Sequence, residues 1–173
     1  ELIAHAAANG KQSIVLIPEI ALTFQTVRRF YERFGDRVSI LHSRLSAAER
    51  WDQLERARNG EIDIMIGPRS ALFTPFSNLG FMIIDEEHEN SYKSETVPKY
   101  HAKDVAIARA RMTGASVVLG SATPSVESYY RALSGEYRLL TIKRRVQDRA
   151  LPVCEIADLR AEMRAGNRSM LSR

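Results

Sequence analysis

Asp85, Glu86, Glu87 and His88 follow directly on the apolar run Phe81–Ile84. Adjacent carboxylates at the end of a buried run are costly unless a cation or an activated water employs them. In phosphoryl-transfer enzymes a strand-end Asp holds Mg²⁺ through water, and a neighbouring Glu orients the attacking water. Asp85 and Glu86 fit those two jobs. An acidic loop that merely follows a strand fits the same letters. A second stretch, GSATPS at Gly120–Ser125, also follows an apolar run. Its Ser121 and Thr123 offer hydroxyls toward the acidic loop. As a plain strand-to-helix turn, it would instead use Thr123 as the cap and Pro124 as the first helical residue.

Both stretches need a scaffold that aims several strand ends at one place. The apolar runs IVLI, IMI, FMII and VVL are continuous rather than alternating, as in strands covered on both faces. Strands are predicted at Ser13–Ile17, Val38–Leu41, Asp63–Ile66, Phe81–Asp85, Ser116–Gly120 and Arg138–Ile142. Helices are predicted at Ala21–Phe34, Ser46–Asn59, Ala102–Met112 and Ser125–Ser134, with Ser46 and Glu49 forming a capping box and Gly60 closing that helix. Alternating strands and helices make an α/β domain with a mainly parallel sheet. Beyond Arg144 the pattern weakens into a charged stretch short of core residues.

The 173 residues amount to one domain, or one domain and a tail. At 45% hydrophobic the chain can bury a core, and a formal charge of +4 permits nucleic acid as a partner without requiring it. Cys154 is the only cysteine, which excludes an intrachain disulfide and fits a reducing compartment. No apolar run reaches membrane-spanning length, so no membrane partner is expected. His42, His88 and His101 match no standard zinc spacing.

DEEH paired with GSATPS at matching strand ends resembles motifs II and III of superfamily-two helicases. The wider match is closer. PEIALT (Pro18–Thr23), LHSRLSAAER (Leu41–Arg50), GPRSALFTPF (Gly67–Phe76), DEEHENSYK (Asp85–Lys93), KYHAKDVAIARA (Lys99–Ala110) and LGSATPSVESYY (Leu119–Tyr130) stand in one order. Together they closely resemble the PriA family of bacterial replication-restart helicases. RRVQDRALPVCEIADLR, at 144–160, looks like that family's passage from the first helicase lobe into the second. The resemblance implies a RecA-like lobe of the P-loop NTPase class at 1–143, then a linker and the start of lobe two at 144–173.

It also implies roles. Asp85 would hold Mg²⁺ through water, Glu86 would polarise the attacking water, and His88 would link the nucleotide site to Ser121 and Thr123. Pro18, Glu19 and Thr23 fall in a stretch that lines the single-strand path, as do Arg69 and Ser70. An Arg fork suits phosphate, although alone Arg69 reads as a solvated loop residue. Tyr92, Lys93, Lys99 and Tyr100 interleave aromatic rings with cations, a pattern that stacks on bases and holds phosphates. The same letters could form a loop whose tyrosines pack on the domain surface. Pro68 departs from the family's usual Thr and removes a donor from this path.

Implied cofactors are ATP and Mg²⁺, with zinc held by cysteines of a second lobe beyond this chain. Implied partners are single-stranded and forked DNA, single-strand-binding protein and other primosome proteins. The implied place is the bacterial cytoplasm, at the nucleoid. The implied activity is ATP-driven three-prime-to-five-prime unwinding. Another superfamily-two translocase, or a DNA-contacting module without turnover, are the rival readings.

One part of the machine is not in these letters. ATP binding needs a glycine-rich loop between strand and helix with a Lys on the phosphates. Around Lys11, His5 stands where the first Gly belongs, Gln12 replaces Ser or Thr, and the loop leaves a helix to enter a strand. The chain is therefore expected to begin inside the helix that follows the phosphate loop. In such a lobe, Ser116–Gly120 would face the slot of the phosphate-loop strand. The exposed edge is expected to self-associate through Val117–Leu119 or to recruit a C-terminal segment into a rearranged sheet.

Overall fold

Five of the apolar runs pair in a single sheet. The computed structural model describes residues 1–142, 156–166 and 169. Its strands are β1 (Gln12–Leu16), β2 (Val38–Ile40), β3 (Ile64–Gly67), β4 (Leu79–Ile84) and β5 (Ser116–Leu119). Their order is β2-β3-β1-β4-β5, and every pairing is parallel. The expected α/β architecture is present. β1 lies in the middle, and all five of its residues are buried. Side chains alternate faces along it. Ile14 and Leu16 join one core with Met65, Met82 and Ile84, while Val15 and Ile17 join another with Val38, Ile64 and Ile66.

Helices cover both faces. α1 (Leu2–Ala8) and α2 (Phe24–Phe34) supply Ile3, Phe30 and Phe34 to the second core. α3 (Ala47–Arg58) and α4 (Ala102–Thr113) supply Ala57, Ala102, Ala106 and Ala110 to the first. Small residues at these contacts let both helices lie close to the sheet. The capping box of α3 is present: the Ser46 hydroxyl accepts from Glu49 N–H, and the Glu49 carboxylate accepts from Ser46 N–H at 2.8 Å. α2 begins at Phe24 rather than Ala21. The chain first turns through a 3₁₀ helix at Glu19–Ala21, and Thr23 caps α2 by accepting from Thr26 N–H at 3.3 Å. α5 (Val126–Leu133) is capped by Ser125, not by Thr123.

A close approach fixes the end of β3. A Cβ at Gly67 would lie 2.7 Å from the Leu41 carbonyl oxygen and 3.1 Å from the Ala71 Cβ. Only glycine lets the chain pass there into the 3₁₀ helix Arg69–Phe73. Arg109 of α4 then holds the far end of that helix, donating to the carbonyls of Leu72 and of Thr74, the latter at 2.6 Å.

The C-terminal expectations need correction. The run Arg138–Ile142 is not a strand, and Leu140 and Ile142 stay exposed. Tyr137 is tied back to α5, its N–H donating to the Arg131 carbonyl and its hydroxyl accepting from Arg131. Among the described residues the run finds no strand to pair with. Nothing among them pairs with the outer side of β5, and most of the C-terminal segment expected there lies outside the described residues. The compact units divide at Glu1–Tyr137 and Arg138–Arg173. In the second, α6 (Leu159–Arg164) is capped by the Asp158 carboxylate. Most of the linker expected at 144–173, including 144–155 with Cys154, lies outside the described residues. Among the described residues, no helix is long and apolar enough to cross a membrane.

The unpaired side of β5 carries a prediction. Light scattering during gel filtration of the 173-residue chain is expected to show concentration-dependent self-association. Val118 is half-buried and belongs to neither core. Val118→Lys should therefore return the chain to a monomer at little cost in stability, because edge lysines block strand addition.

Candidate functional site

In a parallel sheet every strand ends on the same side, so the loops after β1, β3 and β4 meet there. Asp85 follows β4, and its N–H donates to the Leu16 carbonyl at 2.9 Å. Glu86 has φ +47°, and among the described residues it is the one non-glycine at positive φ. Such a conformation costs on the order of 1–3 kcal/mol and persists only where the surroundings enforce it. Three contacts do so. Glu86 N–H donates to Asp85 Oδ1 at 3.1 Å, Glu87 N–H to the Gly120 carbonyl at 3.0 Å, and Glu89 N–H to the Glu86 carbonyl at 2.9 Å. The turn exposes Asp85 and leaves Glu86 half-exposed.

Glu87 points the other way, into the protein, where it is 2% exposed. Its carboxylate accepts from Ser125 N–H at 2.6 Å, from the hydroxyls of Ser125 and Ser128, and from Lys103 Nζ at 3.2 Å. Burial alone would raise its pKa. The serine donors and the lysine outweigh burial and hold the carboxyl below its usual range. Sequence reasoning passed over Glu87 and its partners. The one available signal was the Ser125-x-x-Ser128 pair at a helix start, and nothing in the letters names the carboxylate that meets it.

His88 stays on the site side. Its Nδ1 lies 2.7 Å from Ser121 Oγ and 3.7 Å from Glu86 Oε2, while Ser121 Oγ accepts from Thr123 N–H at 2.9 Å. The structure thus brings Glu86, His88, Ser121 and Thr123 together. Among the described residues, no group of three or more His, Cys, Asp or Glu could cage a metal ion. The donor set suits Mg²⁺ bound another way, since that ion keeps its waters and takes one or two carboxylates plus phosphate oxygens.

Beside this turn lies a cleft of about 290 Å³. Pro18, Glu19, Arg69, Ser70, Tyr92 and Tyr100, all singled out in the sequence, line it. His42, Ser43 and Arg50 line it too and were missed as site residues; they follow β2, whose end reaches the same side. Hydrogen bonds from Ser43 hold Glu19 below the usual carboxylate range, so one wall keeps a negative charge. Arg69 supplies the opposite charge. Its guanidinium lies 5.5 Å from the centre of the Tyr100 ring, which meets Phe73 edge-on at 5.5 Å. Arg69 Nη1 donates to the carbonyls of Ser91 and Lys93, while its Nε and Nη2 have no hydrogen-bond partner among the described residues.

Other candidates stand differently. Tyr92 is 1% exposed, so its ring has no free face on which a base could stack. Its hydroxyl reaches the carbonyls of Asp85 at 2.6 Å and Leu16 at 3.1 Å. Burial, and then the charges of Asp85, Glu89 and Glu86, push its pKa up, so it keeps its proton and donates. Thr23 lies outside the cleft with its hydroxyl employed in capping α2. Lys93 and Lys99 are exposed and do not line it.

A family profile described as DEAD/DEAH box helicase matches residues 1–132. The chain is 53% identical over 170 residues to the replication restart protein PriA of Bacillus subtilis, covering 98% of this chain and 21% of that protein. It is 47% identical over 164 residues to the Chlamydia trachomatis protein of that name, covering 94% and 22%. With the Synechocystis protein of that name it shares 45% identity over 178 residues, covering 100% and 21%. The chain thus spans about a fifth of the length of these relatives.

The Glu87 network makes a stability prediction. Glu87→Ala strands the Lys103 ammonium and the serine donors without their acceptor. Removing one partner of a buried ion pair costs roughly 3–5 kcal/mol. A urea titration followed by circular dichroism should show that loss, with a smaller one for Glu87→Gln.

Proposed function

The chain belongs to the DEAD/DEAH box helicase family, and from that premise we propose that it is most of the first motor lobe of a PriA-type replication-restart helicase. The observation that carries the reading is the juxtaposition at the carboxyl ends of the strands. A cleft holding Arg69, Ser70, Glu19 and Tyr100 opens beside the turn that presents Asp85 and Glu86. One side suits a single strand's phosphates and bases, the other a nucleotide's phosphates. The names of the relatives support replication restart as the setting.

In this reading Asp85 would hold Mg²⁺ and Glu86 would face the phosphates of ATP. Bound Mg²⁺–ATP supplies the phosphoryl group and the charge that gathers these carboxylates. The chain's own residues orient and hold protons. Glu86 aligns and accepts from the attacking water. His88, set between Glu86 and Ser121, ties that carboxylate to the GSATPS loop. Arg69 and Ser70 hold strand phosphates, and Tyr100 offers a ring to a base. The whole protein would unwind forked DNA in the three-prime-to-five-prime direction, with single-strand-binding protein and primosome proteins as partners. A zinc site in its second lobe belongs to the same proposal, as does its place in the bacterial cytoplasm.

The chain by itself lacks a glycine-rich phosphate cradle in its sequence. That observation favours a second reading for the isolated segment, a DNA-contacting module without turnover. Preorganised phosphate donors supply most of the catalysis in such sites. The isolated chain should therefore show no ATPase above background, with or without single-stranded DNA. Hydrolysis that DNA stimulates and Glu86→Gln abolishes would contradict this. In a full-length protein carrying the segment, Glu86→Gln should retain nucleotide binding, read with a fluorescent analogue, and stop turnover.

DNA binding by the isolated chain is expected to be weak and to fade as salt rises. Tyr100→Ala should weaken binding of a single-stranded oligonucleotide by roughly 1–3 kcal/mol, the worth of one base–aromatic stack. Fluorescence anisotropy at two salt concentrations would measure both effects. In the full-length protein the same change should damage DNA-stimulated ATPase more than affinity.

A further inference from the structure

Glu87 takes no part in the steps assigned to Asp85 and Glu86, yet its contacts bracket one loop. The loop is 121–124, the four residues between Gly120, which follows β5, and Ser125, the N-cap of α5. Before the loop, Gly120 N–H donates to the Ile84 carbonyl at 2.8 Å, and the Gly120 carbonyl accepts from Glu87 N–H at 3.0 Å. After it, Ser125 N–H donates to Glu87 Oε1 at 2.6 Å. Glu87 Oε2 lies 2.9 Å from the Ser128 hydroxyl and 3.1 Å from that of Ser125. One residue therefore grips the chain on both sides of the loop, by its amide on one and its carboxylate on the other. Ala122, Thr123 and Pro124 are exposed, so packing does not fix the loop between those grips. Ser121 within it still meets His88 at 2.7 Å, and His88 stands next to Glu87 in the chain.

Resting on the functional reading above, we propose that Glu87 is a positioning residue for hydrolysis, a clamp that sets where loop 121–124 meets His88 and Glu86. The task needs a carboxylate. Four donors converge on it: Ser125 N–H, two serine hydroxyls and the Lys103 ammonium. A Gln in its place offers one acceptor oxygen and turns an amide NH₂ toward the same donors. The negative charge also lies at the N-terminus of α5, where the helix dipole favours it. Four residues pinned at both ends have little freedom, and the bond from Thr123 N–H to Ser121 Oγ at 2.9 Å removes more of it. Ser121 Oγ is thereby aimed at His88 Nδ1, which lies 3.7 Å from Glu86 Oε2. Release of the Ser125 end frees Ser121, and His88 loses the contact that orients it beside Glu86. A misplacement of about an ångström is enough to change turnover a hundredfold in well-aligned sites. Glu87 is buried away from the site, so it acts only through these neighbours. Lys103 plays a different part: it neutralises the carboxylate, and its hydrogen bonds reach Glu87, Ser125 and Ser128 but no residue of loop 121–124.

The test uses the full-length protein carrying this segment and compares Glu87→Gln with Lys103→Met. Each variant breaks the buried ion pair, so each should lower the midpoint of urea unfolding. Only Glu87→Gln opens the clamp. Its kcat for ATP should fall about tenfold or more with KM within about twofold, while Lys103→Met keeps both within about twofold. Glu87→Asp keeps the charge beside Lys103 but is one methylene too short to reach Ser125 N–H. It should unfold at more urea than Glu87→Gln and lose kcat alike. Hydrogen exchange reads the clamp without turnover. Relative to the amides of β1 and β4, those of Thr123 and Ser125 should lose protection in Glu87→Gln and keep it in Lys103→Met. A Glu87→Gln or Glu87→Asp protein whose kcat stays within about twofold of the unaltered one overturns the clamp and leaves the helicase reading standing. Turnover that falls in step with the urea midpoint in all three variants would show a merely structural carboxylate and also overturn it. Unchanged relative protection at Thr123 and Ser125 in Glu87→Gln would do the same. An unaltered protein without ATPase would sink the functional reading, and the clamp's part in hydrolysis with it.

Discussion

The pairing of Leu16 organises the molecule. It stands opposite Gly67 on one side and opposite Ile84 on the other. This register sets the last residues of β1, β3 and β4 in one row, so the three following loops start together. One loop carries Pro18 and Glu19, the next Arg69 and Ser70, the third Asp85 to His88. A slip of one residue in β1 would exchange its two faces, moving Ile14 and Leu16 out of one core and Val15 and Ile17 out of the other. Burial of both faces forbids the slip. The geometry of the site is thus held by apolar packing some distance from any polar group in it.

Polar contacts then set what each loop presents. Asp85 to His88 alternate in direction: Asp85 outward, Glu87 inward to the helix that follows GSATPS, His88 outward to Ser121. A buried carboxylate with a lysine and three serine donors is weak evidence for stability, since well-packed apolar groups often do as well. Its geometric effect is firmer. The Glu87 contacts join the loop after β4 to α4 and α5, and its N–H joins it to Gly120 of the loop after β5. With those joined, the 2.7 Å contact between His88 and Ser121 needs no further support. One of these, the Glu87 N–H to the Gly120 carbonyl, also helps hold the strained φ of Glu86, beside its contacts with Asp85 and Glu89.

Arg69 shows how one cation serves several neighbours. It lies over Tyr100, holds two backbone carbonyls with one nitrogen, and keeps its remaining donors free among the described residues. A Lys gathers its three donors on one ammonium and has no planar fork, so it could not hold these groups and still present a second face of donors. Glu19 across the cleft keeps its charge, so the cleft is not uniformly positive.

The letters by themselves determined the element types and the strand-end chemistry. Continuous apolar runs such as IVLI and FMII specify strands buried on both faces, and Ser46 with Glu49 specifies a helix start, because these signals act over a few residues. DEEH after FMII placed carboxylates at a strand end for the same reason. Which way neighbours point was decided only by the tertiary structure. Tyr92 and Tyr100 read alike, yet one is buried under Leu16 and Asp85 while the other borders the cleft. Glu87 reads like Glu86, yet finds Ser125 and Lys103. The run Arg138–Ile142 reads as a strand and, among the described residues, pairs with none. Local pattern records how much surface a segment must bury. The partner that buries it comes from a strand or helix far away in sequence, and only the packed sheet brings the two together.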